Sequence, residues 1–443
     1  MSIESVHPLY IDCKDKWTRV RDSFLGSDTI KEKGEVYLPK LGSQDKDEYS
    51  SYVLRAMYVN AIKNTVQGLV GAVMRIDPVI EAPNRVMELA EDITGTGVSL
   101  NDFISNMLSE QLLMGRQGVL VDRTEDRAYL SGYTTEQITN WMNDDVIVLK
   151  ETYLQNDSQD PYEMEYMVQY RELLIDEDGK FLVRIWRDNN GWSIVDEVYP
   201  TKVGQALDEI PFVALSGNEL NLNPTQPPLL SLVDTNLSMY RTSADLEHGR
   251  HFTALPTPYV TGIDAESELR IGSGSAWILP DSSSRAGYLE FTGQGLQALE
   301  KAVEEKRGIM ASLGASLLQT QKAGIESAES IRLRQNSEAS VLVGAVLSVQ
   351  EGIAKALGIL AEWEGVSGDI KVALNTDFVD TKIESDDLTA LMGAWQTGAI
   401  SHDTFLYNMK KGEILPDETT IEDEKDLIDL QNGQIVENAL NLD

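Results

Sequence analysis

SAESIRLRQNSEASVLVGAVLSVQEGIAKALGILAEW, residues 327–363, decides the architecture. It is the longest helical pattern in the chain, and at about 1.5 Å per residue it would span roughly 55 Å. Gly344, Gly352 and Gly358 lie inside it. Each costs about 1 kcal/mol relative to alanine in a helix, which predicts a bend or a close packing contact there. Immediately before it, LLQTQKAGIES (317–327) breaks the helical pattern. Before that break a helix begins near Gln294 and runs through GLQALEKAVEEKRGIMASLGASLL. Its middle is densely charged, and Lys301 and Glu305 are spaced to pair at i, i+4. Further back stands a small β unit made of PYVTG (258–262), GSAWILP (274–280) and GYLEFTG (287–293). Another helix precedes it, from Leu229 to about Arg250, with Leu230, Val233, Leu237, Tyr240, Ala244 and Leu246 on roughly one face. The prolines of LNPTQPP (222–228) mark the boundary to everything upstream.

The upstream half mixes helices and strands. Residues 47–74 read as one amphipathic helix, stopped by the two prolines of IDPVIEAP (76–83). A second helix is expected to start at Ser99, with Asp102 three residues on, and to end at Gly115. GVLVD (118–122) reads as a short buried strand. EYMVQYRELLI (165–175), KFLVRIWR (180–187) and WSIVDEVYP (192–200) read as a meander. Asp178-Gly179 and Asn190-Gly191 suit two-residue primed hairpin turns. EIPFVALSG (209–217) is a further strand. After Trp363 come a short strand, DIKVALN (369–375), and two or three helices. The fold class is therefore α+β.

Charge narrows the function. The 443 residues carry 37 Lys and Arg against 72 Asp and Glu, a formal charge of −35. From Lys371 onward there are sixteen acidic and five basic residues. Such a surface repels free nucleic acid, whereas a protein that grips DNA usually shows a basic patch. DNA sliding past remains compatible. Cys13 is the single cysteine, so neither an intrachain disulfide nor a cysteine-based zinc site can form. The N-terminus lacks a basic start and an apolar stretch, so no signal peptide is expected. No run of about 18 apolar residues predicts a membrane span.

Chemistry-bearing motifs are sparse. GSGSAW (272–277) is glycine-rich but has no lysine and leads into a strand, so it reads as a turn rather than a phosphate loop. His248, His251 and Glu247 share a helical turn, but a metal site needs a further ligand. DEDG (176–179) lacks the later ligands of a calcium loop and reads as a hairpin tip. The pairs Asp144-Asp145 and Asp386-Asp387 have no partner placed by the sequence. No catalytic residue, cofactor or metal is expected.

What stands out is the order of parts: a mixed α/β region, a helix, a small β insert, a second helix, an irregular loop, a very long helix and an acidic helical tail. HPLY…W…RD…YLPK (7–40), YVLRAMYVNAIKNTVQGLVGAVMRIDP (52–78) and LLQTQKAGIESAESIRLRQNSEAS (317–340) resemble the portal proteins of tailed bacteriophages, the first two resembling an uncharacterised phage-encoded portal family. The resemblance implies a wing at 1–227, stem helices at 228–249 and 294–313, a clip at 250–293, and a tunnel loop at 314–328. It also implies a wing helix and strand at 329–380 and a crown at 381–443. It implies a closed ring, typically a dodecamer, made in the host cytoplasm and placed at one capsid vertex of the virion. Its partners would be double-stranded DNA in transit, terminase, a head–tail adaptor and the major capsid protein, with no membrane. Gln319, Thr320, Gln321, Lys322 and Ala323 would face the channel, with Lys306 and Arg307 as further basic residues near it. Trp277, Ile278, Leu279, Tyr288 and Phe291 would pack between clip subunits and dock partners. The rivals are another head–tail connector component, which would lack the helix–insert–helix order, and a DNA-processing nuclease, which would need convergent carboxylates or histidines.

Overall fold

A computed structural model describes residues 2–42, 44–143, 145–155, 162–202, 204–217, 219–253, 257–262, 283–289, 294–315, 328–376 and 385–411, with 414–415, 420–422, 424–425, 427–428 and 430 near the end. The fold is α+β, in two units, Met1–Asp377 and Phe378–Asp443.

The first unit opens with four helices: α1 (Pro8–Leu25), α2 (Ser27–Glu32), α3 (Lys46–Arg55) and α4 (Ala61–Val73). The single helix expected over 47–74 is thus two. Ala56 is extended, and residues 56–60 cross between α3 and α4 without helical bonding. Two carbonyls released by that break, Met57 O and Val59 O, accept from Ser243 Oγ at 2.8 Å and Asn236 Nδ2 at 2.9 Å. Long-range side chains therefore replace the intrahelical ladder.

Next come β1 (Val79–Glu81), α5 (Asn84–Leu89) and α6 (Leu100–Met114). The limits of α6 follow its local chemistry. Ser99 Oγ accepts from the Asp102 N–H at 3.1 Å, and Gly115 takes the left-handed conformation at φ 69°. The strands β2 (Arg116–Arg123), β3 (Ala128–Thr134), β4 (Ile138–Met142) and β5 (Val146–Gln155) follow. Then come β6 (Glu165–Ile175), β7 (Phe181–Asp188), β8 (Trp192–Val198), β9 (Thr201–Lys202), β10 (Gln205–Ala206) and β11 (Phe212–Ser216). The meander is real but has five strands, ordered β4-β5-β6-β7-β8, while β11-β2-β3 form a separate sheet. Neither hairpin of the meander has the expected two-residue turn. Ile175 pairs with Phe181, leaving five residues in which only Gly179 has positive φ. Asp188 pairs with Trp192 across a three-residue loop with positive φ at Asn190 and Gly191.

The chain continues as α7 (Leu230–Thr253), β12 (Thr257–Thr261), β13 (Arg285–Leu289), α8 (Gln294–Ala315), α9 (Ala328–Trp363) and β14 (Lys371–Ala373). β14 returns to pair with β1, so the end of this unit is sewn to its beginning. The buried stripe Leu342, Val346, Val349, Ile353, Leu357 and Leu360 lays the second half of α9 against α6, β2, β3 and β11. By length and composition Val341–Trp363 could cross a bilayer, but half of its most apolar window is buried inside the fold, as in a core helix. Burying each such side chain is worth roughly 1.5–3 kcal/mol. Gly352 permits the close approach foreseen in the sequence, because an added Cβ would sit 2.8 Å from Leu215 Cδ2 on β11.

The second unit contains α10 (Ser385–Gln396) and α11 (His402–Lys411). Trp395 stacks on both His402 and Phe405, and Lys425 pairs with Asp403 at 2.8 Å.

Candidate functional site

The segment singled out by the sequence is the run from α7 to α9. Its first helix is more deeply held than a one-face pattern implies. Leu232, Val233, Leu237, Met239, Tyr240, Ala244 and Leu246 are all buried, which is more than one face of α7. Polar staples add direction. Besides Asn236 and Ser243, Arg241 Nε donates to Tyr37 O at 2.8 Å, and the Tyr52 hydroxyl donates to Asp245 Oδ1 at 2.6 Å. Burial, reinforced by Asp245, pushes the Tyr52 pKa well up, so its phenol remains a donor. The Tyr52 ring meets His248 edge-on at 5.2 Å. The N-terminal helices thus form a socket for α7. The sequence hid this because the partners are nearly 200 residues apart.

α8 folds back along α7 as an antiparallel hairpin. The two helices approach closely at Gly249, where a Cβ would lie 2.6 Å from Leu296 Cδ2. Arg250 bridges the seam to Glu300 at 2.9 Å. Lys306 Nζ donates back to Ser238 O at 3.2 Å and to Thr242 Oγ1 at 2.5 Å. Its cation therefore lies in the seam between the helices. Arg307 is exposed and pairs with Glu304 at 3.0 Å. It borders an apolar groove between α4, α7 and α8, with Val59, Thr65, Met239, Met310 and Ala311. Lys301 and Glu305 meet at 3.8 Å, as their spacing predicts. The side of α8 away from the groove leaves Ile309 51% exposed.

Between the two helices, β12 and β13 pair antiparallel, with Pro258 opposite Tyr288. Ser284 Oγ donates to Gly262 O at 2.7 Å, just beyond the end of this ladder that lies away from α7 and α8 in the chain. Trp277, Ile278, Leu279 and Phe291 lie outside the described residues, as do Gln319, Thr320, Gln321, Lys322 and Ala323.

α9 is anchored at its far end by Glu364. That carboxylate accepts from the Ala128 N–H at 2.9 Å and Arg85 Nε at 2.8 Å, while Arg123 Nη1 donates to Trp363 O at 2.6 Å. Burial opposes its ionisation, but these donors and the nearby guanidiniums outweigh burial and hold its pKa below the usual range.

Carboxylates elsewhere in the interior are engaged structurally. Arg21 binds both Glu110 and Glu136, at 2.7 and 2.8 Å. Arg171 joins Asp122 to Glu151, which also accepts from Tyr133 at 2.6 Å. Among the described residues no group of three His, Cys, Asp or Glu side chains is arranged to hold a metal ion. Asp144 and the Asp386–Asp387 side chains lie outside the described set.

A family model described only as a domain of unknown function, DUF4055, matches residues 228–364, the span from just before α7 to just after α9. No curated protein matches the chain. Among solved structures, one described as the neck of an empty gene transfer agent (GTA) particle computed with C6 symmetry is similar at a TM-score of 0.45 and 12% identity, covering 82% of this chain and 92% of the other. The virion of a native gene transfer agent particle gives a TM-score of 0.45 and 12% identity, with 85% and 97% covered. The neck of the native particle computed with C12 symmetry gives 0.39 and 12%, with 78% and 88% covered.

Proposed function

We propose that the chain is a structural component of the head–tail junction of a phage-like particle, and more specifically a portal subunit that assembles into a closed ring conducting double-stranded DNA. The observation that carries this reading is the α7–insert–α8–α9 arrangement. A helical hairpin bearing a small β insert is socketed into an α/β body, and a 36-residue helix then runs back onto that body. In the ring, α7 and α8 are the stem, the segment between them the clip, and residues 314–328 the tunnel loop. Gln319, Thr320, Gln321, Lys322 and Ala323 face the channel, and Arg307 is a further basic residue on the stem itself, in α8. The clip, through Trp277, Ile278, Leu279, Tyr288 and Phe291, docks terminase during packaging and an adaptor afterwards. The wing meets the major capsid protein at the vertex.

Charge fits the role. Every phosphate that a protein neutralises adds affinity by counterion release, so a conduit must keep its contacts with DNA few. Subunits of net charge −35 line a repulsive wall, with one Lys322 per subunit as a narrow cationic ring. A closed ring also requires a head-to-tail interface between unlike patches. The test is native mass spectrometry of the purified full chain, with negative-stain imaging. Rings of about a dozen copies are expected for a portal. A chain that stays monomeric at micromolar concentration, or that cleaves DNA in a metal-dependent reaction, overturns the reading.

A further inference from the structure

The break between α3 and α4 has no local cause. Residues 46–67 contain neither proline nor glycine, and nothing in Ala56, Met57, Tyr58, Val59 or Asn60 forbids a helix. Tyr52, Ala56, Val59, Ile62, Val66 and Leu69 recur at intervals of 4, 3, 3, 4 and 3, the unbroken apolar stripe of a single helix. The fold buries every member of that stripe except Val59, near its centre. Val59 is half-buried and lines the apolar groove, while its neighbour Tyr58 goes inside instead. Ala56 makes the turn, with extended backbone at φ −60° and ψ 132°. Local preference and tertiary structure disagree here, and such conflicts concentrate at functional or strained sites.

Side chains from other elements hold the break. Lys31 Nζ on α2 donates to Leu54 O at 3.1 Å, and Ser243 and Asn236 on α7 donate to Met57 O and Val59 O. In a continuous helix those three carbonyls would accept from the N–H groups of Tyr58, Ala61 and Lys63. The Tyr58 hydroxyl donates to Ser23 O at 2.9 Å, and its ring meets Tyr240 of α7 edge-on at 5.8 Å. The N–H groups of Met57, Tyr58, Val59 and Asn60, by contrast, donate to no protein acceptor among the described residues. The bend therefore forgoes hydrogen bonds that a straight helix would make, and contacts with α7 offset the loss. The two arms are held unequally. α3 packs on α7, whereas α4 packs on α1, α6 and α8 as well.

We propose that residues 56–60 are a two-state hinge, bent while α7 is seated and zipped into one helix with α3 and α4 when α7 is displaced. α4 is the fixed arm and α3 the arm that swings. α7 can favour the bent state only through contacts made in that state alone. These are the donations from Ser243 and Asn236, the packing of Tyr240 on Tyr58, and Asp245 accepting from Tyr52. With α7 a stem helix, the hinge carries a displacement of the stem into the N-terminal helices. That use rests on the ring reading above, whereas the hinge itself rests on three helices of one chain.

Hydrogen exchange of the full-length protein, read by mass spectrometry over 56–60, tests the hinge. The unbonded amides of 57–60 should exchange fast in the parent. In Asn236→Ala with Ser243→Ala they should slow by about tenfold or more, and far-ultraviolet circular dichroism should show added helix. If the two side chains only brace the fold, their loss loosens the segment, so exchange that is faster or unchanged overturns the hinge. Where that pair does not purify folded, Lys31→Met with Ser243→Ala keeps the buried Asn236 and decides by the same sign. Met57→Pro supplies the control. Met57 is 47% exposed, its N–H is unbonded, and Ala56 already has the extended backbone that a residue before proline needs. Proline there fits the bend and forbids the straight helix. Added to either pair it should return exchange to the fast parent rate, and Met57→Gly, which weakens a helix without fixing φ, should do so in part. Protection that survives the proline arises elsewhere and overturns the proposal. A chain found monomeric by native mass spectrometry overturns the ring reading and leaves this test of the hinge intact.

Discussion

Arg116 is wholly buried, and no carboxylate among the described residues forms an ion pair with it. Its Nε donates to Leu222 O at 2.9 Å, and its Nη1 reaches Thr135 and Ile138 carbonyls at 3.3 Å, while the Trp141 ring lies 4.4 Å from the guanidinium carbon. Burial pushes its pKa down to about 9, which still leaves it protonated at neutral pH. Arg116→Met relieves the desolvated charge but orphans those carbonyls. The second effect should win, costing about 2 kcal/mol, read as a lower urea midpoint at pH 7. Arg21 poses the opposite case, a cation held by two carboxylates. Glu110 is pushed up by burial, and Arg21 pulls it back down. In Arg21→Met that restraint is gone, so the folded-state pKa of Glu110 rises further above its unfolded value. The folded protein then keeps a proton that the unfolded chain releases, and stability falls as pH rises through the raised value. The deficit against the parent protein should therefore be small near the ordinary carboxylate range and grow toward neutral pH. A deficit that is flat with pH would exclude Glu110 as its source. Neither arginine was legible in the sequence, because their partners lie 19 to 115 residues away. The Ser99 and Gly115 caps were legible because a cap is a three-residue affair.

At the scale of elements, helix identity followed periodicity and helix continuity did not. The apolar spacing over 47–74 is the same on both sides of residue 56, and nothing local announces that Ser243 and Asn236 will claim the carbonyls of Met57 and Val59. The glycines of α9 show what the sequence can and cannot say about packing. All three looked alike, yet Gly352 abuts fully buried Leu215, whereas an added Cβ at Gly358 meets nothing within 4 Å. Gly358→Ala should stabilise the protein by about 0.5–1 kcal/mol through helix propensity alone. Gly352→Ala gains the same propensity but must displace Leu215, which has no free space, and overpacking of this kind costs about 1–3 kcal/mol. The two substitutions should thus shift the thermal midpoint in opposite directions. Two shifts of the same sign would mean that α9 does not rest on β11 as closely as described.

At the scale of the whole molecule, the order of parts was legible because each part has its own sequence signal: prolines at 222–228, a small β insert, and an unbroken helical run to Trp363. The faces of the five-stranded sheet were not, since a sheet face exists only after five strands find their register. Assembly must also contend with charge, because every added subunit brings −35. That repulsion acts over the Debye length, about 30 Å at 0.01 M salt and about 8 Å at physiological strength. Apolar burial between copies acts only at contact and is not screened by salt. Raising salt from about 0.01 M to about 0.15 M should therefore promote ring formation, moving the midpoint concentration down by about tenfold or more. Above that range the long-range repulsion is already spent. Apolar burial is then the driving force that remains, and added salt leaves it strengthened or unchanged, so the midpoint should level off. Sedimentation velocity across a salt series reads this directly. Rings that fall apart on the first addition of salt would show that attraction between unlike charges, and not apolar burial against a repulsive background, holds the subunits together.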